Sequence, residues 1–108
     1  ILMLHKMQRI NPGKLFVGSF VPNWLLQLVD VTSTEKLLYA RLCQYAGERG
    51  YCFPKQKTLA DEIGLQVGAI KKGLQRLQAK GFIEIHRRGL GKQNIYYFLH
   101  HLSMETTL

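Results

Sequence analysis

Lys71, Lys72, Gln75 and Arg76 are interleaved with Ile70, Leu74 and Leu77, three aliphatic residues at i, i+4 and i+7 spacing. On a helix this spacing turns the aliphatic residues to one side and sets Gly68, Lys72, Gln75 and Ala79 on the other, with Lys71 and Arg76 on the flanks. Such a face offers ammonium, guanidinium and amide donors without a neighbouring acid, a chemistry suited to an anionic partner. A second basic set, Arg87, Arg88 and Lys92, surrounds the glycines of RGLGKQ. The 28 positions from Gln66 to Gln93 carry +6 of the chain's net +8, opposed only by Glu84. Either set alone would read as an ordinary solvated surface; two sets in one short stretch point to a shared binding face.

Other chemistries find little support. His5, His86, His100 and His101 lack zinc-protease spacing, GLGKQ lacks the length and the Ser or Thr of a phosphate-binding loop, and no serine sits in a nucleophile elbow. Cys43 and Cys52 stand nine positions apart with no CxxC, so neither a zinc site nor a disulfide framework is implied. No catalytic residue, metal ligand or cofactor is expected. A hydrophobic share of 46% against 20% charged places the 108-residue chain among globular proteins, and no apolar run is long enough to cross a bilayer. The cysteine usage makes the cytoplasm the economical compartment. The chain does not begin with Met and reads as a fragment or processed product of one domain.

The elements that position the basic residues follow from changes of period. Residues 1–13 show no period and end in the turn-like INPG, a weakly ordered lead-in. LFVGSFV, residues 15–21, reads as a short strand, and NWLLQLV as about two helical turns with Trp24 and Leu28 on one face packed into the core. Thr32 followed by Glu35 fits a capping box ahead of a helix whose inner stripe is Leu38, Leu42 and Tyr45, ending near Gly47 or Gly50. YCFP is an extended link. A second helix starts near Pro54, carries Leu59 and Ile63, and stops at Gly64 as a glycine cap. The third helix is the basic one and closes at Lys80 and Gly81, a cation at the negative end of the dipole. FIEIHR and NIYYFL then alternate around RGLGKQ as a hairpin with a basic tip, Ile83 and Ile85 inward, Glu84 and His86 outward. HHLSMETTL has no period and is expected to fray. Tyr96 and Tyr97 are expected to pack in the hairpin, although such tyrosines could stack on single-stranded bases.

The run from Ser19 to Arg88, above all KLLYARL, FPKQKTLADEIG and LQRLQAKGFIEI, resembles the winged helix-turn-helix domains of plasmid and phage replication initiators and related small regulators. The resemblance implies an α+β, mainly α fold, with a three-helix core and a C-terminal β-hairpin wing over residues 14–99, a recognition helix at 66–80 and a wing at 86–94. It implies double-stranded DNA as partner, with Val67, Gly68, Lys71, Lys72, Gln75 and Arg76 toward the major groove and Arg87, Arg88 and Lys92 on phosphate or minor groove. Lys55 and Lys57 are candidate phosphate contacts. The family usually has Ser or Thr where this chain has Lys55 and Gln66, so two helix starts are expected to lack a side-chain cap. Replication initiation or transcription control is the implied setting. The alternative is a protein-interaction module whose basic face docks another replication protein, and a homodimer is compatible with either. Gly68 would let backbone approach DNA, and Gly73 would let the second helix come close near Ala60.

Overall fold

The computed structural model describes residues 8–107, so most of the lead-in 1–13 lies outside the described residues. Pro12–Leu15 forms one helical turn (α1) and Asn23–Leu26 another (α2). Three longer helices follow, α3 at Ser33–Ala46, α4 at Gln56–Ile63 and α5 at Val67–Ala79. Tyr51–Cys52 (β1), Ile83–His86 (β2) and Ile95–Phe98 (β3) make an antiparallel sheet in the order β1-β3-β2. Ile85 pairs with Tyr96 and Cys52 pairs with Tyr96 from the other side, so β3 is the central strand. A 3-10 helix at Leu102–Thr107 completes the described chain. The mainly α fold with a C-terminal hairpin is as the sequence implies, and no helix among the described residues is long and apolar enough to cross a membrane.

Local chemistry sets the boundaries. The Thr32 hydroxyl oxygen accepts from the Glu35 amide at 3.2 Å, capping α3 as expected. Gly64, at φ 78 and ψ 34, ends α4 in the left-handed region, and its amide donates to the Ala60 carbonyl at 2.8 Å. Lys55 and Gln66 occupy the caps of α4 and α5 without a side-chain capping bond. Leu38 and Leu42 of α3, Leu59 of α4, and Ile70, Leu74 and Leu77 of α5 meet in one core, closed over by Phe82, Ile83 and Tyr96. Trp24 seats α2 on this core, its ring 5.6 Å from that of Tyr39 and 5.7 Å from that of Phe82.

Four expectations are corrected. Residues 15–21 form no strand; Leu15 ends α1, and Phe16, Val17 and Phe20 are exposed and pair with no sheet. The third strand is Tyr51–Cys52, within the segment read as a link, because β3 has a free edge there and Cys52 drops into the core. NWLLQLV gives one helical turn, not two, ending at Gln27. The segment read as a fraying tail instead forms the 3-10 helix packed against α2, tied down by His101, whose ring lies 4.4 Å from that of Phe82 and whose Nδ1 accepts from the Ser103 amide at 3.0 Å.

Candidate nucleic-acid interface

The α5 register puts Ile70, Leu74 and Leu77 wholly inside, which forces Gly68, Lys71, Lys72, Gln75 and Arg76 outward, and all five are exposed. Val67 is half-buried and packs against the core, so it shows only part of its surface on the proposed face. At Gly68 an added Cβ would meet no atom within 4 Å, leaving backbone open to solvent at the first turn. Gly73 is different. An added Cβ there would come 2.9 Å from Leu38 Cδ2, so this glycine admits α3, not the α4 helix near Ala60 as expected.

The hairpin brings the second basic set to the same side. A groove of about 330 Å³ runs between α5 and the wing, with Lys71 and Gln75 on one wall, Arg87 and Asn94 on the other, and Gln56 at its end. Beside it a hollow of about 670 Å³ lies between the start of α4 and the wing, with Lys55 facing Arg88 and Lys92. Gln56 and Asn94 border both, so the two form one concavity crossing from α5 beneath the wing to α4. Burial pushes the Tyr96 phenol above its ordinary range, while hydrogen bonds with Asn94 and Gln56 pull the other way. Gln56 and Asn94 thus lie near the Tyr96 phenol where the two hollows meet. Gln56 and Asn94 were not singled out from sequence; neutral amides outside a periodic pattern carry no charge signal there.

Some cations prove to be otherwise engaged. Lys57 stands 3.7 Å from Asp61 one turn along α4 and borders neither hollow. Lys80 Nζ reaches inward, 2.7 Å from the Asp30 carbonyl and 2.5 Å from Glu35 Oε1, and so is taken out of the basic face. The acids of α4 are also occupied: Tyr45 donates to Glu62 at 2.7 Å, with the Arg41 guanidinium 3.8 Å away. Among the described residues, no group of three or more His, Cys, Asp or Glu side chains is placed to hold a metal ion. Burial raises the Cys43 thiol to about 11 and the Cys52 thiol to about 12, so both are neutral packing groups at physiological pH.

Residues 31–83 match the family model of the helix-turn-helix domain. No curated protein matches the chain. Among solved structures, one described as the N-terminal domain of a DNA binding protein superposes with a TM-score of 0.61 at 18% identity, covering 99% of this chain and 88% of that one. Another, a Rep-DNA complex, superposes with a TM-score of 0.56 at 20% identity, covering 88% of this chain and 85% of that one. The α4-turn-α5 pair lies inside the matched segment and the β2-β3 hairpin begins at its last residue, Ile83. Residues 31–83 are a helix-turn-helix domain, and with the hairpin that follows the chain has the winged form of that fold.

Proposed function

We propose that the chain binds double-stranded DNA in a sequence-specific manner, with α5 in the major groove and the wing on the flanking backbone. The observation that carries this reading is the groove bounded by Lys71 and Gln75 on α5 and by Arg87 on the wing, which gives two basic elements one concave surface. Lys71, Lys72 and Gln75 have the reach and donors for base edges; the open backbone at Gly68 permits close approach; Arg87, Arg88, Lys92 and Lys55 meet phosphates. Arg76 supports the backbone contact from the last turn of α5. The likeness in fold to the structure of a Rep-DNA complex supports the DNA reading and favours replication initiation, with transcription control as the other setting.

Selection of bound duplexes from a random pool tests the proposal. Enrichment of one motif, with the preference relaxed at single positions by Gln75→Ala or Lys72→Ala, supports it; recovery of unrelated sequences argues against specific recognition. A gene neighbourhood holding an origin or a promoter separates initiation from transcription control.

A second reading, self-association, is favoured by one observation: Phe16, Val17 and Phe20 stand exposed in one run. Sedimentation over a concentration series supports it if a dimer forms and Phe16→Ser with Phe20→Ser abolishes it. A monomer at all concentrations excludes it.

A further inference from the structure

We propose that Leu90 is a wedge that enters a base step from the minor groove and kinks the bound duplex, an inference that rests on the DNA-binding reading above. Leu90 is wholly exposed at the apex of the wing, covered by no other part of the described chain. Its presentation is built. Gly89 and Gly91 flank it at φ 102 and 74, and the Lys92 amide donates to the Gly89 carbonyl at 3.3 Å, closing a four-residue turn with Leu90 at its second position. Behind the turn, Arg88 Nε donates to the Gln93 carbonyl at 2.7 Å and braces the two limbs against each other.

The charges on either side indicate what the leucine meets. Arg88 and Lys92 bracket Leu90 in sequence, and both border the hollow beneath the wing. Cations on both sides of the tip suit the two phosphate strands that border a minor groove, which directs the apolar apex between them. A protein surface complementary to this tip would need acids on both flanks of an apolar pocket, whereas duplex DNA supplies both features at every step. Apolar side chains inserted in this way part the stack and bend the duplex toward the major groove. Pyrimidine–purine steps yield most easily and are the expected sites.

The test uses a duplex selected from a random pool by this chain, with 2-aminopurine placed in turn at the adenines of its TA and CA steps and a fluorophore pair at its ends. Binding of the unaltered protein is expected to raise 2-aminopurine emission at one step and to shorten the end-to-end distance by a bend of at least about 20°. Leu90→Ala is expected to bind with an unchanged salt slope, since no charge is altered, while losing both signals. Leu90→Phe is expected to keep them. Tight binding with no emission rise at any step, or a rise that survives in Leu90→Ala, overturns the wedge and leaves the DNA-binding reading standing. Absence of duplex binding by the unaltered protein overturns both.

Discussion

The ammonium of Lys80, at the end of α5, reaches the fully buried carboxylate of Glu35 in the first turn of α3, 45 residues away. Thr32 shares that carboxylate, its hydroxyl donating to Oε2 at 2.6 Å, so one acid joins a helix cap to the far end of α5. Lys80 belongs to the basic stretch by sequence and to the structural frame by position. Lys80→Ala is therefore expected to cost about 3–5 kcal/mol of stability, since it strands a buried charge, while leaving the salt slope of duplex binding unchanged. Chemical denaturation and fluorescence anisotropy on the same variant check both halves.

The same pair makes stability depend on acid. Burial alone would push the Glu35 carboxyl up, but the hydrogen bonds from Lys80 and Thr32 and the Lys80 charge outweigh it and hold the group below its ordinary value of 4.5. A carboxyl depressed in the folded state contributes fully above 4.5, and its contribution is lost as pH falls from 4.5 through the lower folded value. Urea midpoints measured across this window should fall more steeply for the unaltered protein than for Glu35→Gln.

Gly68 separates stability from binding. With nothing within 4 Å of an added Cβ, Gly68→Ala is expected to stabilise α5 by about 0.5–1 kcal/mol through helix propensity alone. If backbone approaches DNA there, the same methyl weakens duplex affinity. A raised melting temperature with reduced affinity is the expected outcome; raised stability with unchanged affinity places the DNA elsewhere.

Lys55 offers a second separation. It caps α4 without a side-chain bond and faces Arg88 and Lys92 across the hollow. Lys55→Ser is expected to supply the missing cap and stabilise by about 0.5–2 kcal/mol, while lowering duplex affinity and reducing the salt slope by about 1 if the lysine meets phosphate. Thermal melts and salt-series binding on this variant give both numbers.

What was legible in the sequence was whatever a local rule encodes. The Thr32 cap, the left-handed Gly64, the inward stripe of α5 and the alternation of β2 each depend on a few neighbouring residues. The misreadings are tertiary. Tyr51–Cys52 is too short to show a period and becomes a strand only because β3 lies beside it. LFVGSFV has strand composition but no partner edge. Nothing near Lys80 announces Glu35, and nothing near Gly73 announces Leu38. The outward placing of the basic residues of α5 and the wing was readable from charge and period; the position of Gln56 and Asn94 between them was not.

The claim that α5 and the wing hold one duplex is tested most directly by the salt dependence of binding to a selected duplex, compared among the unaltered protein, Arg76→Ala, Lys92→Ala and the double variant. Each single change is expected to lower the slope of log affinity against log salt by about 1, and the double change by about 2. Slopes unchanged in all three variants would contradict it.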